Sequence, residues 1–367
     1  MRIVQLCPYA MDRPGGVQRH VRDLSDWLVT QGHDVRIIAP PAPGQPARRE
    51  GLLIELGRSR AISVHGTAFE ISRASRHQRR AAVAELGQWQ ADLVHMHTPW
   101  TPMLVWQVWR ALRLPSVTTI HATLPAEQGK SLTDRYIRCA ARHFLRHSKA
   151  VIVPSEAPLP MLRALVPGQD AHVLPPAVDL SGWRTAPRPQ RAGLSLMFLG
   201  RLEARKGVDV LLNAWEICAP ALPGATLTIA GDGALRPQVE AAQSPRLIYA
   251  GRLDDTTARH LLAGTDMFVA PAPYGESYGL VLAEAMAAGA IPVAAANAGY
   301  ASVLGPDLAD LLVAPGDAAA LAAKIIELAT DRDRLVRLRD TVRSRSMNSD
   351  IAQVGPRYAA LYSGLLA

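Results

Sequence analysis

The chain is short of cysteine, of aromatic residues and of uninterrupted apolar runs, and each shortage removes a class of protein. Its three cysteines, Cys7, Cys139 and Cys218, stand far apart in 367 residues. They make neither a disulfide framework nor a thiolate metal spacing, so a reducing, cytoplasmic setting is expected. The opening segment Met1 to Pro8 is too short an apolar run for a signal peptide. No residue from Ala285 to Pro306 is charged, but Gly289, Pro292 and Gly299 break that run into helix, strand and loop rather than a membrane span. Aromatic residues are 5% of the chain, and none lies in the basic run Arg73 to Arg80, which argues against base stacking and hence nucleic acid. A Gly-x-Gly-x-x-Gly spacing is missing from the first glycine loop, so a dinucleotide site is not expected there. His95, His97 and His121 have no cysteine or carboxylate beside them at ligand spacing, and zinc is therefore not expected.

What is present fits two α/β domains. The length allows two cores, and 49% hydrophobic residues is ordinary for a soluble protein. The net charge of +8 is unevenly placed: residues 1–180 hold 22 Lys/Arg against 14 Asp/Glu, whereas residues 181–367 hold 18 of each. The excess lies wholly in the first half and suits a polyanionic partner such as an anionic membrane. Arg2 to Cys7 reads as a buried strand, followed by a loop with Gly15 and Gly16, a helix through Val17, Val21, Leu24 and Leu28, and a strand from Asp34. Strand, glycine loop, helix, strand is the start of a doubly wound sheet, and glycines at the helix start let a ligand approach backbone. Ile71 to Leu86 reads as a basic helix with Arg73, Arg76, His77 and Arg80 on one face and Arg79 beside them, a surface suited to an anionic bilayer. His97 and His121 follow predicted strands, where an open sheet meets its ligand. Leu174 to Trp183 reads as a linker, after which the pattern restarts with Leu194 to Leu199 and the cationic loop Arg201, Arg205, Lys206.

The most informative stretch runs from Tyr274 to Gly289. A buried strand, Asp266 to Ala270, arrives first, and a helix pattern with one apolar side leaves. Glu276 stands just before that helix and Glu284 about two turns along it. Backbone N–H groups of Ser277, Tyr278, Gly279 and Leu280 at the helix start suit phosphate. Carboxylates at the same place suit sugar hydroxyls. Together they point to a sugar nucleotide, with Arg201 and Lys206 neutralising its diphosphate. Asp331-Arg-Asp333 reads as a helix cap rather than a metal motif.

With these residues assembled, the chain resembles retaining glycosyltransferases of family 4. The resemblance rests on Glu276 and Glu284 separated by seven residues, the Arg201/Lys206 loop, and Cys7 to Gln18 with its Gly15-Gly16 pair. The basic helix and His121 followed by Lys130 are similar to bacterial phosphatidylinositol mannosyltransferases, peripheral membrane enzymes that use GDP-mannose. It implies a GT-B fold, two doubly wound Rossmann-like domains facing a central cleft: residues 1–178 for acceptor and membrane, 179–347 for the nucleotide sugar, and 348–367 packing back on the first. The implied donor site is Gly15, Gly16, Arg201, Lys206, Asp254 (towards the base), Glu276, Ser277, Tyr278, Gly279, Leu280 and Glu284, with His121 near the reacting carbon. The implied acceptor and membrane residues are Tyr9, Asp12, Gln18, Arg73, Arg76, His77, Arg79, Arg80 and Lys130. No cofactor or metal is implied. A UDP-sugar with a soluble or polysaccharide acceptor, and a non-catalytic sugar-nucleotide or lipid binder, are the alternatives. The implied location is the inner face of the cell membrane. The loop after His121 is longer and more apolar than in the inositol-lipid enzymes, and leaves the acceptor open.

Overall fold

The computed structural model describes residues 1–13, 15–64, 67–98, 102–122, 132–189 and 193–367, with backbone alone for 61–64, 67–70, 102 and 132–134. The chain divides into two compact units, Met1–Val178 with Ile351–Ala367, and Asp179–Asp350.

The first unit runs β1 (Arg2–Leu6), α1 (Gly16–Thr30), β2 (Asp34–Ala39), β3 (Arg49–Glu50), β4 (Leu53–Glu55), β5 (Arg58–Val64), β6 (Thr67–Arg73) and α2 (Arg76–Gln88). It continues through β7 (Leu93–His97), α3 (Pro102–Leu112), β8 (Ser116–Thr119), α4 (Leu132–His147), β9 (Ala150–Val153), α5 (Leu159–Leu165) and β10 (His172–Val173), and is completed by the C-terminal helix Ile351–Leu366. The sheet order is β10-β9-β8-β7-β1-β2-β4-β3, parallel except for β3. Alternation along a strand splits the core between the two faces. Ile3, Leu93 and Val117 pack with Leu24 and Leu28 of α1 and with Tyr358 and Tyr362 of the C-terminal helix. Val4, Val94 and Met96 pack with Leu104, Val105 and Val108 of α3 and Phe144 of α4. Covering both faces explains why the strands read as near-continuous apolar runs. Each fully buried Leu or Ile contributes about 1.5–3 kcal/mol.

Two expectations are corrected here. Arg73 is the last residue of β6, paired across a hairpin with Arg58, and the helix begins only after Ser75. Ser75 caps it, accepting from Gln78 N at 3.2 Å while Gln78 Oε1 accepts from Ser75 N at 3.0 Å. That capping box ends the strand-to-helix link, so Arg73 cannot share the helical face. The stretch read as a linker is in part core: Ala177, Val178, Leu180 and Trp183 are buried.

The second unit runs α6 (Ser181–Arg184), β11 (Leu194–Leu199), α7 (Val208–Cys218), β12 (Ala225–Ala230), α8 (Arg236–Ala241), β13 (Leu247–Gly251), α9 (Asp255–Ala263), β14 (Met267–Ala270), α10 (Leu280–Ala288), β15 (Ile291–Ala295), α11 (Ala298–Leu304), β16 (Leu312–Val313), α12 (Ala318–Thr330) and α13 (Arg332–Ser346). Its sheet order is β13-β12-β11-β14-β15-β16, wholly parallel. The strand order reverses between β11 and β14, and between β1 and β7 in the first unit. At such switch points the loops leaving the carboxyl ends diverge and open a crevice. Asp331 caps α13, accepting from Arg334 N at 2.8 Å, as its sequence setting suggested. Among the described residues no helix is long and apolar enough to cross a membrane.

Candidate active site

The β11–β14 switch point decides what meets in the second unit. The loop after β11 carries Arg201 to Gly207, and the loop after β14 carries Pro271 to Gly279. Being neighbours in the sheet, they bring together residues 70 positions apart: Lys206 Nζ donates to Glu276 Oε1 at 2.5 Å. Both side chains are largely withdrawn from solvent. Two glycines allow this approach. Gly207 has φ of 71°, and a Cβ there would lie 2.3 Å from Pro271 O. A Cβ on Gly299 would lie 2.4 Å from Glu276 O.

Carboxylates hold the cations of the Arg201–Lys206 loop in place. Glu203 accepts from Arg205 Nε at 2.8 Å and pairs with Arg201 at 3.1 Å, while Lys206 is held by Glu276. Glu203 was missed in the sequence because an acid two residues from an arginine resembles surface charge. Its signal is the alternation Arg-x-Glu-x-Arg in one tight loop, closed by a short 3-10 turn at Ala204–Lys206. Asn297 and Tyr300 lie beside the Glu276 loop. Asn297 Nδ2 donates to Ala272 O at 2.8 Å and its Oδ1 accepts from Tyr300 N at 2.9 Å, which ties α11 to the Glu276 loop. The Tyr300 phenol is pushed well above its ordinary pKa by burial and then by the Glu276 charge. It is therefore a neutral phenol against the charged pair.

Glu284 sits on α10 and is buried, not a solvated face residue. The helix was expected to have one apolar side; instead every residue from Leu282 to Ala288 is buried. Ala-rich faces let α6, α9 and α13 close around it. Gly279 begins the helix in the left-handed region and Gly289 ends it there. α10 begins at Leu280 after Gly279, so of the four residues expected to offer backbone N–H groups to an anion only Leu280 lies in its first turn, and Ser277, Tyr278 and Gly279 belong to the loop before it. The Tyr278 side chain turns the other way: it is buried, and its hydroxyl meets Ser349 Oγ at 2.5 Å. Asp254 is exposed and caps α9, accepting from Thr257 N at 2.8 Å. That bond holds its carboxyl below the usual range.

The first unit carries the other candidates. Gly15 precedes α1, and Gly16 is its first residue. Gln18 is buried against Gly15 and donates to Ala10 O at 3.4 Å. Tyr9 is half-buried and Asp12 exposed. His121 follows β8 and is partly exposed, with Nε2 2.9 Å from His97 Nδ1. His97 Nε2 in turn donates to Gln5 Oε1 at 2.8 Å. Burial, then neighbouring imidazoles, hold His97 and His121 well below the ordinary histidine pKa, so both are neutral. Arg76, His77 and Arg80 are exposed at the first turns of α2 and Arg79 is half-exposed. Cations there oppose the helix dipole, which costs about 0.3–1 kcal/mol each. Lys130 and the 123–129 loop lie outside the described residues.

Two parallel, doubly wound units, one with an acid–lysine pair at its switch point, are the architecture of glycosyltransferases of the GT-B class. The closeness to solved structures agrees: TM-score 0.80 to sucrose-phosphate synthase from Thermosynechococcus elongatus, at 20% identity and covering 99% of this chain and 98% of that one. Anabaena HepE, solved in complex with UDP and glucose, gives 0.75 at 18% identity, covering 99% and 100%. Residues 14–181 match the family described as Glycosyltransferase Family 4, and residues 193–331 match Glycosyl transferases group 1. A phosphatidyl-myo-inositol mannosyltransferase of Mycolicibacterium smegmatis is 33% identical over 341 residues, 90% of this chain and 85% of that protein. The chain belongs to glycosyltransferase family 4.

Proposed function

We propose that the protein transfers mannose from GDP-mannose to phosphatidylinositol, or a related lipid, at an anionic membrane surface, with retention at the anomeric carbon. The observation that carries this reading is the likeness, over nine-tenths of the chain, to a phosphatidyl-myo-inositol mannosyltransferase. Arg201 and Lys206 neutralise the donor diphosphate and the first turn of α10 cradles it. Glu276 accepts from the sugar hydroxyls and Glu284 from the ribose, with Asp254 towards the base. Gly15 and Gly16 admit the diphosphate to backbone, and His121 contacts the sugar. The anomeric C–O bond to the diphosphate breaks, and the departing phosphate takes the proton of the incoming hydroxyl on the same face. Holding that phosphate among cations stabilises the charge as it develops. No metal is assigned to this step. The exposed arginines of α2 face the lipid headgroups, repaying their unfavourable position on the helix; Tyr9, Asp12, Gln18 and Lys130 serve the acceptor.

The test is nucleoside diphosphate release from a panel of GDP- and UDP-sugars, with and without phosphatidylinositol vesicles. The expected result is turnover of GDP-mannose stimulated by inositol lipid, with a mannosylated lipid product. Turnover of a UDP-sugar that ignores the vesicles would overturn both donor and acceptor. Tight nucleotide binding with no turnover of any donor would make the protein a binder rather than an enzyme.

A further inference from the structure

The first unit gathers three histidines that the chain keeps well apart. One ring nitrogen from each of His20, His97 and His121 lies within 4.8 Å of the other two. They come from three elements: α1, the end of β7 and the residue-pair after β8. Ring centroids are 5.5 Å apart for His20 and His97, 5.3 Å for His20 and His121, and 5.1 Å for His97 and His121. A zinc–nitrogen bond of about 2.0–2.1 Å puts an imidazole centroid roughly 3.2 Å from the metal, so two rings on a tetrahedral centre stand about 5.2 Å apart. The three spacings match that figure.

The hydrogen bonds fix which ring nitrogens keep a lone pair. His20 Nδ1 donates to Ala177 O at 3.1 Å, which leaves Nε2 as its lone-pair nitrogen. That nitrogen is buried and has no hydrogen-bond partner among the described residues. His97 Nε2 donates to Gln5 Oε1, which leaves Nδ1 as lone pair, facing His121 Nε2. A ring N–H given to a carbonyl, with the other nitrogen on the ion, is the usual arrangement of a metal-bound histidine. His121, the partly exposed member, supplies the entry path and leaves the fourth position for water.

We propose that His20, His97 and His121 form a three-imidazole site for a divalent transition metal of the zinc class, and that a metal held there withdraws His121 from the donor sugar. Without metal, His121 Nε2–H donates to His97 Nδ1. On binding, that proton moves to His121 Nδ1, and Nε2 takes the metal. The binding half stands on the geometry alone; the inhibitory half rests on the sugar-contacting role proposed for His121.

The test uses the full chain, stripped with a chelator and titrated with Co2+ as spectroscopic probe and with Zn2+ by calorimetry. One metal per chain is expected, with the intense visible absorption of tetrahedral Co2+. His20→Gln and His97→Gln, each checked for folding by circular dichroism, are expected to weaken binding at least 100-fold. A wild-type protein that takes up no Co2+, or two folded variants that bind as well as wild type, would overturn the site. Zn2+ is expected to suppress transfer at the concentrations that fill the site, and chelator to restore it. Stoichiometric binding that leaves transfer unchanged would keep the site and overturn the role of His121.

Discussion

At the carboxyl ends of β1, β7 and β8 the first unit presents neutral imidazoles and a buried amide, held by hydrogen bonds to one another. At the ends of β11 and β14 the second unit presents Arg201, Arg205 and Lys206 held by Glu203 and Glu276. The same topological device, a strand-order reversal in a parallel sheet, therefore carries opposite chemistry in the two halves. A charged, tightly paired end suits a diphosphate with a sugar attached. A neutral end, with imidazoles and an amide and no formal charge of its own, suits contact with uncharged hydroxyls. The contrast shows that fold alone assigns no role; the residues on the loops do.

Four perturbations bear on that contrast. Lys206→Ala removes the partner of a largely buried carboxylate and should have the largest effect. Breaking one side of such a pair costs about 2–4 kcal/mol, so kcat/KM for the donor should fall roughly 100-fold or more and nucleoside diphosphate affinity should fall with it. Steady-state kinetics and calorimetry read both; unchanged diphosphate affinity would take Lys206 off the phosphate. Next, the neutral end should be acid-sensitive. His20 binds a proton near 6.5 when unfolded but only near 4 when folded. The unfolded state thus holds more protons between those values, and stability falls as pH drops from 6.5 to 4. For His20 alone the loss reaches about 3 kcal/mol. His95, His97 and His121 are shifted the same way by burial and add to it. Thermal melts in chelator should show the decline, and His20→Gln should flatten it; an equally steep fall in that variant would remove the histidine from the account.

Changing Arg76, Arg79 and Arg80 together to Glu should weaken binding to phosphatidylinositol vesicles by about 100-fold, at about 1 kcal/mol for each basic residue near the surface. Donor hydrolysis should hold. Vesicle sedimentation unchanged by the reversal would make α2 an ordinary solvated helix. Smallest of all, Tyr278→Phe should cost about 1 kcal/mol of stability with turnover within twofold, because its hydroxyl serves Ser349. A large loss of turnover would return the side chain to the site.

Much of this molecule was legible in its sequence, and the failures have physical causes. Two α/β halves followed from apolar strands alternating with amphipathic helices. Glu276, Glu284 and Lys206 stood out because their loops follow strands. What spacing could not show was that Lys206 and Glu276 touch, since that depends on β11 and β14 being neighbours. Arg73 was placed on a helix because a run of arginines hides a hairpin; the capping serine two residues on was the signal. The histidine cluster escaped for a similar reason. His20 falls on the apolar face of α1 and looks like core, and histidines separated by whole elements leave no local motif. Spacing along the chain says little about positions that a sheet brings together, so only the fold could suggest the proposed metal site.

The most direct test compares GDP with a non-transferable GDP-mannose analogue, binding each to wild type and to Glu276→Ala by calorimetry. If Glu276 holds the sugar, GDP binds both proteins alike and the extra affinity conferred by the mannose disappears in the variant. If GDP affinity falls as far as that of the analogue, the carboxylate serves the diphosphate loop, and the division of labour between the two sheet ends is wrong.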